Sequence, residues 1–326
     1  MNKKVSFAIA ALLVFISVPL LEARALTVKD KRGTAVSLNV PVKRGVFHIN
    51  YELIPALGVW DRVVGLGSNA LTNDLVISTK PDMRNIPVIG DVNQMDAERV
   101  LALKADVIIT WTYNNEALRF IEQKGVRVIA FYPESLGEFY DMVRLMGAVF
   151  GKEREAWNIV SQMEVIFAMI RKRAPDVQPL KRKKVLWLGS KPTVVYCRLD
   201  PKNDIVEYIG AWNPASVLPK RSAEVTLEKI VSWNPDVIFI TGHAPYSDRD
   251  ILANPQWRIL RAVREGRVYK APEWSTWSPR LALIALWMAM KTYPEYFRDI
   301  NLYKVTDEFY RKVFGIPYSK VKKIEG

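Results

Sequence analysis

Short apolar runs alternate with amphipathic segments along most of the chain. Four such runs have the length of buried strands and are followed by helical patterns: 45–47, 63–66, 107–110 and 126–131. Such alternation predicts a largely parallel sheet with helices on both faces. Before these runs, residues 26–38 alternate apolar and polar positions around Asp30-Lys31-Arg32-Gly33. This pattern predicts a β-hairpin whose turn places glycine at positive φ.

From residue 135 onward the apolar residues follow a helical period. One stripe is formed by Phe139, Met142, Val143, Met146 and Phe150. After Gly151, residues 153–173 continue without Pro or Gly. As a helix this segment spans roughly 30 Å, which is long enough to bridge two lobes. The run 185–188 then begins a second series of strands and helices.

One helix-strand phrase occurs twice in the chain. Residues 96–109 align without gaps with residues 226–239, and the pairs Glu98/Glu228, Asp106/Asp236, Val107/Val237 and Ile108/Ile238 are identical. Each copy has an N-cap residue, an amphipathic helix, a turn and an apolar strand. The repeat predicts two lobes of like construction, although convergence of two unrelated units would produce a similar pattern.

The first 25 residues have the pattern of a secretory signal peptide. Lys3 and Lys4 precede a short apolar stretch, and Ala23-Arg24-Ala25 offers a cleavage site near Ala25. No cysteine lies near that site, so we expect a periplasmic product without a lipid anchor. The lone Cys197 is expected to be a small packed residue.

The chain is strongly basic. Its formal charge is +13, and removal of residues 1–25 leaves +11. Nucleic acid is not expected as the partner of an exported protein. The charge is compatible with a generally basic surface or with attraction of an anionic ligand or lipid headgroup.

Several phrases together resemble the class III, or cluster A, periplasmic binding proteins of ABC importers for ferric siderophores, haem and vitamin B12. They are the hairpin, the segment 52–58, both copies of the repeat, the bridging helix, and Asn254-Pro255-Gln256-Trp257 leading to Gly266-Arg267-Val268-Tyr269. The resemblance covers nearly all of the mature chain. It implies an α/β fold with two lobes of mainly parallel sheets, flanked by helices and joined by a single long rigid helix.

The resemblance also implies a domain plan and a partner. We expect a signal peptide at 1–25, an N-terminal lobe at 26–150, a linker helix at 151–178 and a C-terminal lobe at 179–326. In similar proteins an acidic residue on each lobe contacts arginines of the permease, which makes Glu98 and Glu228 the docking candidates. A carboxylate early in an exposed helix suits this role, and it also stabilises its own helix N-terminus. The protein is expected to be a monomer that meets a permease dimer and its ATPase.

Ligand candidates come from the loops after the strands, where α/β sheets bind their ligands. The loop 47–51 contains one of the two histidines, and the loop 243–246 contains the other. A neutral imidazole is a ligand for Fe, Ni or Co, so His48 and His243 are candidate metal ligands across a cleft. Hydrogen-bonded loop histidines are the alternative.

Aromatic and basic residues complete the predicted site. The candidates are Tyr51, Trp111, Tyr113, Tyr246, Trp274 and Trp277, with Arg198 as a cation for an anionic chelate. Aromatic rings suit a flat or greasy ligand, but they also pack lobes together. Arg280 faces a cleft or caps structure, and the sequence does not decide between these roles.

A transported metal chelate is therefore the expected ligand, with no cofactor of the protein's own. A ferric siderophore is the first hypothesis, and a nickel or cobalt chelate, haem, cobalamin or a molybdate-type oxyanion are alternatives. A periplasmic enzyme or a structural protein are rivals from other classes. The chain contains no nucleophile elbow, phosphate loop, dinucleotide fingerprint or zinc-type histidine spacing.

Overall fold

The computed structural model describes residues 24–91, 94–112, 115–174 and 182–321. The predicted signal peptide and Tyr113 lie outside these residues, except that Arg24 and Ala25 belong to the first strand. The strands are β1 Arg24–Lys29, β2 Ala35–Val40, β3 Gly45–Phe47, β4 Val63–Leu66, β5 Val107–Trp111, β6 Arg127–Phe131, β7 Val185–Leu188, β8 Val194–Tyr196, β9 Ser222–Glu224, β10 Val237–Ile240 and β11 Val268–Lys270. The helices are α1 Leu53–Leu57, α2 Asp74–Thr79, α3 Ala97–Ala102, α4 Asn115–Gln123, α5 Leu136–Phe150, α6 Glu153–Arg173, α7 Pro201–Tyr208, α8 Leu227–Trp233, α9 Asp248–Ala253, α10 Arg261–Arg264, α11 Leu281–Thr292 and α12 Leu302–Phe314.

The chain forms two main sheets, one from strands that precede α6 and one from strands that follow it. The first has the order β4-β3-β5-β6 and is parallel throughout, while the second has the order β11-β10-β7-β8-β9. In the second sheet β11, β10 and β7 are parallel, and β8 and β9 are antiparallel additions. The hairpin of β1 and β2 has Gly33 at φ 83°, as predicted. The two-lobed α/β fold is thus confirmed, while the residue boundaries of the lobes remain a prediction.

The long helix α6 coincides with the predicted segment, and charged residues stabilise both of its ends. Glu153 and Glu155 lie in its first turn, and Arg171, Lys172 and Arg173 lie in its last. Acidic residues at the N-terminus and basic residues at the C-terminus interact favourably with the helix dipole and stabilise both ends. Its buried residues recur at helical spacing from Ala156 to Ile170. The helix packs against α5 and α1 of the first half and against α11, α12 and α7 of the second.

A single apolar core passes through both halves around α6. Successive side chains of a strand point to opposite faces of its sheet. They therefore alternate between this shared core and a smaller apolar cluster that belongs to one half only. Val107 and Ile109 face the shared core, whereas Ile108 faces a cluster under α3 and α4. In the second sheet Trp187 joins the shared core, and Leu186 joins a cluster with α8 and α10. The two sheets are therefore fixed to one helix.

The identical aspartates of the repeated phrase have a structural role. Asp106 accepts hydrogen bonds from the amides of Lys43 and Arg44 at 3.0 and 2.9 Å, just before β3. Asp236 accepts one from the amide of Lys184 at 2.7 Å, just before β7. Each aspartate thus ties its own strand to the start of a parallel neighbour. This explains why the phrase keeps Asp at the same place in both copies.

A buried ion network joins the two halves. The side chain of Arg280, at the start of α11, is 0% exposed and contacts Glu52 and Asp74 from the first half. Its Nε donates to Glu52 Oε2 at 2.8 Å, and its Nη1 donates to Asp74 Oδ1 at 2.9 Å and to Tyr310 Oη at 3.2 Å. Burial favours a lower pKa, but the adjacent carboxylates outweigh it and raise the pKa of Arg280 well above its ordinary value. Arg280 is therefore a charged structural link.

Replacing Arg280 with Ala should lower the free energy of unfolding by about 3–5 kcal/mol, because it leaves Glu52 charged, buried and unpaired. Urea unfolding of the two proteins measures the difference. Arg261→Ala is the matched control, since Arg261 also pairs with two carboxylates, Asp236 and Glu265, but its side chain is 54% exposed. The control should cost about 1 kcal/mol or less. Equal costs for the two variants would contradict the role given to Arg280.

Candidate functional site

A cavity of about 1060 Å³ lies between the two halves at the carboxyl ends of their strands. The first half contributes residues after β3, the segment leading into α2, and the end of β5. The second half contributes the loops after β10 and β11 and parts of α11 and α12. Of the predicted residues, those on its wall are Tyr51, Trp111, His243, Trp274 and Trp277.

His48 is buried beside the cavity, where protein atoms engage both of its ring nitrogens. The ring is 1% exposed. Nε2 lies 2.6 Å from the backbone oxygen of Asp91, which can only accept, so Nε2 carries the proton. Nδ1 lies 2.8 Å from Thr110 Oγ1 and accepts its hydroxyl proton. Burial lowers the pKa of His48 and outweighs the opposing effect of Asp91, which keeps the ring neutral. No lone pair of His48 is free for a metal in this geometry.

Tyr51 is held against the same loop. Its hydroxyl donates to the backbone oxygen of His48 at 2.6 Å, and burial raises its pKa above the ordinary value. Gly67 makes this packing possible, because a Cβ there would lie 2.6 Å from Tyr51 Oη and 2.7 Å from His48 O. The ring of Tyr51 therefore lines the wall in a fixed position as a neutral phenol.

His243 differs from His48 in its exposure and in its position relative to the cavity. It is exposed, it follows β10, and it lies on the cavity wall. Its loop is held by Lys270, whose Nζ donates to the backbone oxygen of Ala244 at 2.9 Å. This loop thus presents an accessible imidazole to the cavity.

Aromatic rings from both halves meet at the cavity wall. The ring of Trp277 lies edge-on to Trp111 at 4.2 Å and to Tyr132 at 4.7 Å, measured between centroids. Arg221, from the second half, lies over the Tyr132 ring at 3.4 Å and donates to Glu134 at 2.9 Å. Trp111 and Trp277 therefore serve both as cavity wall and as lobe packing. Trp274 is 5% exposed and belongs mainly to the core.

Arg198 and Tyr246 are not on the cavity wall. Arg198 is exposed on the segment between β8 and α7. The hydroxyl of Tyr246 donates to the backbone oxygen of Gly189 at 2.9 Å, so this ring packs the loop after β10 onto the loop after β7. Burial raises the pKa of Tyr246, and its hydroxyl stays neutral.

The structure adds wall residues that the sequence did not single out. One side of the cavity is formed by Asn50, Glu52, Asn73 and Asp74, of which Glu52 and Asp74 belong to the Arg280 network. Asn50 lies in the predicted loop 47–51, so its place after a strand was a usable signal. Asp74 starts α2 and follows no strand, so no sequence pattern pointed to it.

Glu98 and Glu228 occupy matching surface positions. Each is exposed in the first turn of its helix, α3 or α8. Asp96 and Thr226 cap these helices by accepting from the amides of Arg99 and Lys229 at 2.9 and 3.3 Å. The pKa of Glu228 lies below its ordinary value because its carboxylate accepts from its own amide and from the Thr226 hydroxyl. The lobes therefore present equivalent carboxylates to solvent.

Within the described ranges, no helix combines the length and the apolar character needed to cross a membrane.

Known proteins resemble this chain over most of its length. The molybdate-binding protein MolA of Haemophilus influenzae is 26% identical over 96% of this chain and 97% of its own. The crystal structure of Helicobacter pylori CeuE with nickel(II) bound has a TM-score of 0.81 at 26% identity, covering 91% of this chain and 98% of CeuE. MolA bound to molybdate has a TM-score of 0.79 at 23% identity, covering 90% and 99%, and supports the fold alone.

A family model described as "Periplasmic binding protein" matches residues 48–273, well over half of the chain. This match agrees with the two-lobed fold, the cavity between the sheets and the class III architecture of the structural neighbours. The chain belongs to the periplasmic binding protein family and is the solute-binding component of an ABC importer.

Proposed function

We propose that the cavity binds a metal chelated by a small organic molecule, and that His243 supplies a protein ligand to the metal. The observation that carries this proposal is the exposed imidazole of His243 on the cavity wall. Neutral imidazole suits borderline metals such as nickel. CeuE, at 26% identity, has been crystallised with nickel(II) and as a nickel-histidine complex. His48 has a structural role in this proposal.

The size and walls of the cavity support an organic ligand around the metal. A volume of about 1060 Å³ lies just above the range for pockets that bind drug-sized ligands, roughly 300–1,000 Å³. Tyr51, Trp111 and Trp277 supply apolar ring surface. A single ion or a tetrahedral oxyanion would leave most of this surface uncovered.

The ligand class can be narrowed by donor preference. A ferric siderophore, the first hypothesis from the sequence, surrounds a hard ion with oxygen donors and has less use for an imidazole. Molybdate is the second candidate, favoured by the similarity to MolA and by Arg249 and Lys270 on the wall. A nickel-type chelate uses His243 and the aromatic wall together, so it is preferred.

Delivery of the ligand requires a partner that recognises the ligand-bound protein. We propose that Glu98 and Glu228 present their carboxylates to arginines of the two permease subunits, whose ATPase drives import. Exposure and equivalent placement at helix N-termini support this role. The proposal includes a monomeric periplasmic protein with lobes at 26–150 and 179–326, released by cleavage near Ala25.

Nickel(II) with excess L-histidine should bind the mature protein, and His243→Ala should weaken binding by about 10-fold or more, because a metal ligand is lost. Isothermal titration calorimetry measures both affinities. Arg198→Ala is the control, since Arg198 is a predicted residue outside the cavity wall, and it should bind as wild type does.

The same titration with molybdate and with a ferric hydroxamate separates the candidates. Tight binding of either one, with no binding of the nickel complex, would contradict the preferred ligand. If His243→Ala binds nickel-histidine with unchanged affinity, His243 is not a ligand of the metal.

Charge reversal at the docking candidates should abolish delivery without affecting ligand affinity. We expect Glu98→Lys/Glu228→Lys to bind ligand normally but to lose stimulation of ATP hydrolysis by its reconstituted importer, because carboxylate-arginine pairs become repulsive. Glu308→Lys, an exposed glutamate of α12, is the control and should stimulate as wild type does. Full stimulation by the double variant would place the contact elsewhere.

His48 should make stability depend on pH. Burial lowers its pKa in the folded protein, so the unfolded chain, with a pKa of about 6.5, takes up the proton first as the pH falls. The stability is present above that pH and decreases below it. His48→Gln removes this contribution, so its free energy of unfolding should decrease less between about pH 7 and pH 5. Urea unfolding at each pH measures this free energy. If it decreases equally with pH in the two proteins, His48 is not held neutral.

A further inference from the structure

The net positive charge of the chain lies almost entirely in its second half. Residues 26–150 contain 14 Lys and Arg and 14 Asp and Glu, which leaves no net charge. Residues 179–326 contain 25 Lys and Arg and 15 Asp and Glu, which leaves +10 of the +11 carried after residue 25. The excess charge is therefore a property of one half and not of the whole surface.

Seven of these cations collect at one edge of the second sheet. Strands β7, β10 and β11 are parallel, so the residues that precede them lie at the same edge. Helix α10 is fixed to this edge, because Arg261 donates from its amide to Asn234 Oδ1 at 3.0 Å and from Nη1 to Asp236 Oδ1 at 2.8 Å, just before β10. The cations of this edge, called the basic face, are Arg182, Lys183, Lys184, Arg258, Arg261, Arg264 and Arg267.

Hydrogen bonds hold the inner part of the basic face to the fold. Lys183 Nζ donates to the backbone oxygen of Thr292 at 2.8 Å, and Arg267 Nη2 donates to the same oxygen at 2.9 Å. Both cations therefore lie at the carboxyl end of α11, whose dipole favours them. Burial lowers the pKa of Lys183, and the nearby Arg267 lowers it further. Positive charge is thus concentrated at this edge.

Carboxylates neutralise only part of the basic face. Those of Asp236 and Glu265 both pair with Arg261, and that of Glu295 lies 3.9 Å from Lys183 Nζ. Seven cations against these three carboxylates leave an excess of +4. Within the described part of the chain, the exposed cations of the face that form no ion pair are Arg182, Arg258 and Arg264.

Exposed apolar side chains lie among the cations. Trp212 pairs through its backbone with the start of β7, and its ring is 39% exposed and lies 6.0 Å from Lys184 Nζ. Ile259, just before α10, is 61% exposed. Tyr296 is also exposed and packs edge-on against Tyr293. A surface that mixes cations with aromatic and aliphatic side chains suits the interface of a bilayer.

The basic face is separate from the cavity and from the docking carboxylate of the same half. The cavity lies at the carboxyl ends of the strands, whereas the basic face lies at their amino ends. Glu228 is in the first turn of α8, and at the other end of this helix the backbone oxygen of Trp233 accepts from Lys184 Nζ at 3.1 Å. Attraction of the cavity's ligand therefore does not account for these cations.

We propose that the basic face binds anionic phospholipid headgroups at the surface of a bilayer. A cluster of Lys and Arg of this size is typical of surfaces that bind anionic lipids. A bilayer fits better than a small anion, because the cations spread over a whole edge of the sheet and because Trp212 and Ile259 can enter the apolar boundary of the headgroup layer. A molecule bound in this way leaves its cavity and Glu228 uncovered.

Co-sedimentation of the mature protein with lipid vesicles tests the proposal. Vesicles that contain phosphatidylglycerol and phosphatidylcholine should bind the protein, whereas vesicles of phosphatidylcholine alone should not. Raising the salt from about 0.1 M to about 1 M shortens the screening length from about 10 Å to about 3 Å and should release the protein.

Matched charge reversals locate the contact. Arg258→Glu/Arg264→Glu should weaken binding to the anionic vesicles by roughly 20-fold or more, because each cation near an anionic surface raises the affinity about fivefold. The control is Arg84→Glu/Arg119→Glu, which makes the same charge change at exposed arginines of the first half. It should bind within about twofold of wild type, since salt screens distant charges. Thermal unfolding checks that both variants fold, and Arg258→Gln/Arg264→Gln replaces the first if it does not.

Each outcome bears on the proposal. Binding to anionic vesicles that the basic-face variant loses and the control keeps supports it. Equal losses in the two variants overturn it, because net charge alone then explains the binding. The proposal is also overturned if the folded basic-face variant binds as wild type does, if wild type does not bind anionic vesicles, or if it binds neutral vesicles equally well. The vesicle experiment contains no metal or chelate, so the proposed function is tested separately.

Discussion

The contact of Arg280 with Glu52 and Asp74 is the constraint on which the rest of the structure depends. It joins the start of α11 in the second half to the loop after β3 and the start of α2 in the first. Because the guanidinium is fully buried, the network tolerates little displacement of one half relative to the other. The same residues border the cavity, so the interaction that positions the lobes also sets the charge of one cavity wall.

That arrangement places Glu52 and Asp74, the two carboxylates of the network, on the cavity wall. Glu52 is satisfied within the protein, whereas Asp74 and Asn50 are only partly satisfied. The second half offers the complementary element, an exposed imidazole at His243. Trp111 and Trp277 cover the apolar part of a bound ligand while holding the halves together.

The fold was largely predictable from the sequence because its signals are local and periodic. The hairpin, the strands of the first sheet, β7, β10, the extent of α6 and the caps of the repeated helices follow from apolar spacing and from Asp96 and Thr226, whereas the short strands β8 and β9 were not predicted. The site was only partly predictable. His48 and His243 both follow strands, but His48 is buried against Thr110 and Asp91, which are distant in sequence, whereas His243 is exposed. The link from Arg280 to Glu52 spans 228 residues, and no local pattern encodes it.

The central claim is that His243 completes the coordination of a chelated metal between the lobes. Anomalous diffraction at the nickel edge, from crystals of the mature protein with nickel(II) and L-histidine, tests it most directly. The account predicts a nickel peak in the cavity about 2 Å from an imidazole nitrogen of His243. A peak remote from His243, or a cavity without nickel under conditions where the solution titration shows binding, would contradict it.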